Sequence, residues 1–234
     1  MEILDWLGEI ASVLFVLLLV AGVPVLSYAT ARRPELRMIA RPDLYLSAVV
    51  SQWILTVVGV VVVLAGGPNF RSIGFRGVTP GDFFFWLGLL AAVSVAGLGL
   101  ILVLERRGWW PPEPDLVLLL MPANRREKLL AVLMVAPTAA LCEEFLYRGY
   151  LLSQLSVWLG GSLWAWAMSA IAFGLAHCYQ GLNGMARAAI LGALLAYPVL
   201  RLGSLYPSMA AHFLIDAVAL AWLGPRFLTR PTPL

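Results

Sequence analysis

Six side chains in this 234-residue chain sit where the surrounding sequence should exclude them. Glu143, Glu144 and Arg148 interrupt an apolar run that begins at Leu129. His177 lies inside a charge-free stretch from Gly149 to Ala186, and His212 and Asp216 lie in the last apolar segment. An ionisable group at membrane depth is costly unless paired, so it marks a functional site by default. On a helix, Glu144 and Arg148 are four apart with the acid first, the favoured order for an ion pair. Glu143 is then turned about 100° away from the arginine. His212 and Asp216 are also four apart and share a face, so Asp216 can accept from one imidazole nitrogen and set the His212 tautomer. Phe173 and His177 share a face of the preceding helix by the same spacing.

Peptide-bond hydrolysis needs an activated water, a donor to the oxyanion and a proton for the leaving amine. Glu143 with His177 can hold and deprotonate a water, and His212, backed by Asp216, can stabilise the oxyanion. Glu143, His177 and His212 are equally able to ligate a divalent metal such as zinc, which would activate the water instead. The helical HExxH zinc signature is absent, as is GxSxG, and Ser169 and Ser208 have no evident base. Cys178 points about 100° away from His177, which disfavours a Cys–His dyad. Cys142 and Cys178 form neither a disulfide framework nor a CxxC pair, and read as small buried residues. Each polar residue also has a plainer reading. Glu144 with Arg148 serves as a lock between helices, and a lone histidine as an interhelical donor. The whole set would also suit a partner-binding membrane scaffold, or a proton relay in a transporter, although no internal repeat of the transporter kind is present.

The elements that must position these groups are transmembrane helices. Of the chain, 61% is apolar and 12% charged, and the mean hydropathy is +0.87. Ordinary soluble domains are about half apolar and roughly a quarter charged. A water-soluble globular protein, a disordered chain and a nucleic-acid reader are thereby excluded. Ile10 to Ala31, Leu44 to Phe70 and Phe83 to Leu104 are charge-free, each longer than the ~20 residues needed to cross the hydrocarbon core. Further helices are expected at 128–158, 162–180, 185–201 and 207–223. The intervening breaks are Gly160-Gly161, Asn183-Gly184 and Gly203-Ser204. The expected fold is all-α, a polytopic transmembrane bundle of about seven helices. Three helices with their loops occupy 1–124, a core of four occupies 125–224, and 225–234 is a tail, frayed from Thr229 onward. Ala29-Thr30-Ala31 mimics a signal cleavage site, but the acidic flank of Glu2, Asp5 and Glu9 favours an uncleaved anchor. With seven spans, all basic residues except Arg71, Arg76, Arg148 and Arg201 fall on one side. The positive-inside rule then puts the N-terminus outside and the C-terminus in the cytoplasm. These spans leave His177 near the cytoplasmic end of one helix and His212 near the outer end of another. The two can meet Glu143 only if the helices are offset or tilted.

Three motifs, in order, resemble a known family. Glu143-Glu144-Phe145-Leu146-Tyr147-Arg148-Gly149 is similar to the EExxxR-G signature of the CAAX protease and bacteriocin-processing family, also called CPBP or Abi. Phe173-Gly174-Leu175-Ala176-His177 resembles its FxxxH motif, and His212-Phe213-Leu214-Ile215-Asp216 its HxxxN/D motif. The lead-in from Arg201 to Ser208 also resembles the family, and the likeness spans about 125–224. It implies an intramembrane endopeptidase of the type II CAAX prenyl endopeptidase-like kind, in a bacterial inner membrane. The lipid bilayer and a peptide or protein substrate are the implied partners. The resemblance makes Glu143 and His177 the water-activating pair and gives His212 and Asp216 the oxyanion role. It makes Glu144 and Arg148 shapers of the site, and leaves open a glutamate-type or a metal-dependent mechanism. Asp216 stands where the prenyl-protein-processing branch has asparagine, which places an anion beside His212. Substrates in the family are prenylated proteins, bacteriocin-type peptides or regulatory membrane proteins, and no residue here selects among them.

Overall fold

The computed structural model describes residues 2–110 and 114–223. Among these every regular element is a helix, with no strand. The tail 225–234, with Arg226 and Arg230, lies outside the described residues. Helix α1 runs from Glu2–Leu17 through a π-helical turn at Leu18–Gly22 into Val23–Ala31. Helix α2 is Arg41–Leu64, α3 is Pro80–Arg106, and α4 is the short Asp115–Leu120. Helix α5, Arg125–Trp158, spans 34 residues, a length on the order of 50 Å. It is followed by α6, Ser162–Ala176, α7, Gly181–Leu202, and α8, Tyr206–Val218, which continues as a π-helical turn at Ala219–Leu223.

The starts follow from local chemistry. Pro42 and Pro80 sit in the first turns of α2 and α3, where a missing N–H costs nothing. The Thr79 hydroxyl accepts from the Asp82 N–H to cap α3, and the Asn124 side chain accepts from the Glu127 N–H to cap α5. The stops are glycines with left-handed backbone, Gly160 before α6 and Gly203 after α7.

Five helices, α1, α2, α3, α5 and a span from Cys178 through α7, are long and apolar enough to cross a membrane. The expected count of seven is therefore approximate. Helix α6 has 15 residues and α8 has 13. One expected turn is misplaced. Asn183 and Gly184 lie inside α7, and the chain turns instead at His177–Gly181, where Gly181 has φ +72°. Gly184 is buried in the bundle, and a small residue inside a membrane helix admits a close neighbour without breaking the helix.

The core forms around α5. Every residue from Glu144 to Leu152 is buried, and this stretch is enclosed by α1, α2, α6, α7 and α8. Helices α6 and α7 pack as a hairpin, with the Trp166 indole donating to the Ala193 carbonyl at 2.8 Å. Gly149 lets the chain approach the loop before α3. A Cβ there would stand 2.9 Å from the Ile73 carbonyl oxygen. The outward faces carry Val57, Phe84, Val95, Leu133 and Trp164, all well exposed. Apolar exposure on that scale marks a surface that meets lipid.

Candidate active site

Helix α5 brings Glu143 and Glu144 to the middle of the bundle, and the two carboxylates take different partners. Glu144 is fully buried, and its Oε1 lies 3.0 Å from Nη1 of Arg148 and 2.7 Å from Nδ1 of His212. Arg148 is 1% exposed. Its guanidinium lies 3.9 Å over the Phe173 ring, and its Nε donates to the Gly192 carbonyl at 3.4 Å. Gly192 permits this approach. A Cβ there would stand 3.1 Å from Phe173 and 3.4 Å from Arg148 Nη2. The Phe173 ring in turn lies 4.5 Å from the His177 ring at a tilt of 57° and meets His212 edge-on at 6.3 Å.

Glu143 points to the opposite side of this lock. Its Oε1 accepts from Gln52 Nε2 at 2.8 Å. Its Oε2 faces Nε2 of His177 at 4.0 Å and Nε2 of His212 at 3.8 Å. Asp216 Oδ2 lies 3.6 Å from the same His212 nitrogen. The structure thus brings all four expected site residues together, with Glu144, Arg148 and Phe173 directly behind them. The offset that the sequence spans demanded comes from short helices. Helix α6 ends at Ala176, so its C-cap His177 sits at the depth of mid-α5. Helix α8 starts at Tyr206, which puts His212 two turns inside.

The ring tautomers follow from the acceptors. His177 Nδ1 lies 2.8 Å from the Phe173 carbonyl oxygen, which only accepts, so Nδ1 carries the hydrogen and a neutral ring turns its Nε2 lone pair toward Glu143. His212 Nδ1 likewise donates to Glu144. That corrects the expected arrangement. Asp216 does not stand behind His212 and set its tautomer; Glu144 does, from another helix. With Nδ1–H given to Glu144, His212 can donate from Nε2 only when both ring nitrogens carry protons.

Two residues escaped the sequence reading. Gln52 is neutral, so a search for ionisable groups passes over it, although an amide in a charge-free span was its visible signal. Tyr179, 5.8 Å from the His177 ring, carries no signal of its own. Other nucleophiles are accounted for structurally. Ser169 donates to the Tyr147 carbonyl and Ser208 to the Leu195 carbonyl. Cys178 contacts the Pro24 carbonyl and Ser27 rather than a base, and both cysteines are free thiols.

The three candidate metal ligands do not fit a metal as they stand. A tetrahedral zinc with ~2.1 Å bonds holds its ligand atoms ~3.4 Å apart, whereas Glu143 Oε2 stands 4.0 and 3.8 Å from the two nitrogens. Among the described residues no group of three His, Cys, Asp or Glu is disposed to hold a metal ion.

Residues 125–218, from the first residue of α5 to the last of α8, match the family described as Rce1-like, type II CAAX prenyl endopeptidase Rce1-like. The C-terminal helices are similar to that family. No curated protein and no solved structure matches the chain. The matched segment contains every acidic and histidine residue of the cluster, while Gln52 reaches it from α2, outside the matched residues.

Proposed function

We propose that this protein is an intramembrane endopeptidase hydrolysing a peptide bond of a membrane-associated protein or peptide. The single observation behind this reading is Glu143 Oε2 facing two imidazole Nε2 atoms across 4.0 and 3.8 Å. Those gaps are too long for direct hydrogen bonds, but a water with ~2.8 Å bonds bridges them at an angle near ~90°. In this mechanism the water donates one hydrogen to His177 Nε2 and gives its other proton to Glu143 Oε2. Its oxygen attacks the scissile carbonyl carbon. His212, protonated on both nitrogens, donates from Nε2 to the oxyanion, with Glu144 and Asp216 supplying counter-charge on either side of the ring. The carbon–nitrogen bond then breaks as the proton on Glu143 passes to the leaving amine.

A cavity of about 640 Å³ between α1 and α2 supports an apolar substrate chain. Leu18, Leu26, Leu44 and Leu55 line it, and Gln52 and Tyr179 join it to the carboxylate cluster. A lipid-modified segment would lie there with its peptide bond at Glu143. The placement of basic loops supports an orientation with the N-terminus outside and the C-terminus cytoplasmic; the bacterial inner membrane rests on the family resemblance alone.

The test is cleavage of lipidated and unlipidated peptides by purified protein in liposomes. Glu143→Gln is expected to lower the rate by at least ~10²-fold, with the fold retained. Equal cleavage by wild type, Glu143→Gln and His177→Ala overturns the reading. Because the ligand spacing does not suit zinc, cleavage is expected to persist after chelation. Loss with EDTA and recovery with zinc would replace the glutamate mechanism by a metal one.

A further inference from the structure

Gln52 is a polar side chain of α2 that faces the acidic cluster. A side-chain amide in an apolar span is costly unless hydrogen-bonded. Here Nε2 donates to Glu143 Oε1 at 2.8 Å, across 91 residues of sequence. The carboxylate has two oxygens, and this bond occupies one of them. It leaves Oε2 as the oxygen that faces both histidines. A neutral donor achieves this without bringing a charge beside Glu143, as a lysine or arginine would. The amide orientation is dictated by its partner, since a carboxylate oxygen requires the NH2 group on its side.

The α2 helix is held in register on both sides of Gln52. The adjacent Trp53 indole donates to Thr138 Oγ1 on α5 at 3.2 Å. Two turns further, a Cβ on Gly59 would stand 2.9 Å from rings of both Phe145 and Phe15. At the N-terminal end of α2, Arg41 and Tyr45 donate to the Leu119 and Leu120 carbonyls of α4. Gln52 therefore cannot slide along α5, and its amide meets Glu143 at a set depth.

The geometry points to Gln52 as a positioning residue for the Glu143 carboxylate, acting through Glu143 rather than on substrate. This assignment rests on the hydrolytic reading above. It also gives the helices before residue 125 a part in the reaction, beyond packing against the family-matched segment.

The experiment compares wild type, Gln52→Met, Gln52→Asn and the lipid-facing control Val57→Ala in the liposome assay. Gln52→Met keeps length but loses the donor. It is expected to lower kcat roughly 10- to 100-fold, as misplacing a catalytic group by about 1 Å does, with KM within about threefold. Gln52→Asn keeps the donor on a shorter arm and is expected to fall between wild type and Gln52→Met. Val57→Ala is expected to match wild type. Unchanged kcat in Gln52→Met overturns the proposal, as does a loss confined to KM. A second measurement reads the pairing without activity. Melting temperatures of Gln52→Met, Glu143→Ala and the double variant are expected to be non-additive, because either substitution removes the same bond. Additive shifts overturn the proposal. If wild type cleaves nothing while the shifts are non-additive, the hydrolytic reading falls and the Gln52–Glu143 pairing stands as a structural contact.

Discussion

Arg148 and Glu144 form the most deeply buried charge pair among the described residues, and their arrangement tells which role each carboxylate can take. Glu144 spends Oε1 on both Arg148 and His212, and its Oε2 is buried without a hydrogen-bond partner in the described residues. Such a group is committed to holding the site. Glu143 keeps an oxygen aimed at the two histidines, the geometry on which its proposed proton-accepting role rests. Truncating one member of a buried pair leaves the other charge uncompensated, at a cost of about 3–5 kcal/mol. Arg148→Met is thus expected to destabilise strongly in thermal unfolding. The Glu144→Leu/Arg148→Met double variant should melt higher than that single variant, because the Glu144 carboxylate is then no longer left without its guanidinium. A double variant melting below both singles would show that the pair does more than cancel its own charges.

At the scale of elements, small residues set how closely the helices that carry the cluster approach. Gly174 on α6 would place a Cβ 2.7 Å from the Met185 carbonyl and 2.8 Å from Ala189 on α7. Gly149 meets the Ile73 carbonyl at a similar distance. Gly88 on α3 has nothing within 4 Å. Overpacking a tight contact costs typically 1–3 kcal/mol, whereas an open helical Gly→Ala change gains about 0.5–1 kcal/mol. Gly174→Ala is therefore expected to lower the melting temperature and to reduce cleavage, since it pushes apart the hairpin that ends at His177. Gly88→Ala is expected to leave cleavage unchanged and stability equal or higher. Equal melting temperatures for the two variants would contradict the packing assigned to α6 and α7.

At the scale of the molecule, the outward faces of the helices are apolar and the polar groups converge inward. Val95 is 70% exposed and Trp164 69%, while Glu144 and Arg148 are hidden. The protein is expected to resist extraction from membranes by alkaline carbonate and to require detergent. The proposed topology is checked by reporter fusions in the loops. Fusions after Arg37 and after Arg107 should report the cytoplasm, and a fusion near Arg76 the outside. Opposite signals would reverse the orientation drawn from the basic loops.

The membrane setting, the helical class and the three motifs were all legible in the linear chain, because they depend on local composition and on spacings of three and four residues. The breaks at Gly160 and Gly203 were visible for the same reason, whereas the Asn124 cap, ahead of the expected helix start at 128, was not read. The Asn183-Gly184 turn was misread because a small residue inside a bundle and a small residue in a turn look alike in sequence. Only packing tells them apart. The pairing of His212 with Glu144 across 68 residues, and of Gln52 with Glu143 across 91, could not be read that way. Local spacing placed Asp216 on the face of His212, and it is there. Yet the nitrogen it approaches is the one facing Glu143, because α5 delivers Glu144 to the other side of the ring. Residue types and their periods thus settled which groups are present and which face they share. Helix lengths, offsets and close approaches at glycine settled which atoms meet, since contacts between distant segments depend on the packing of the whole bundle.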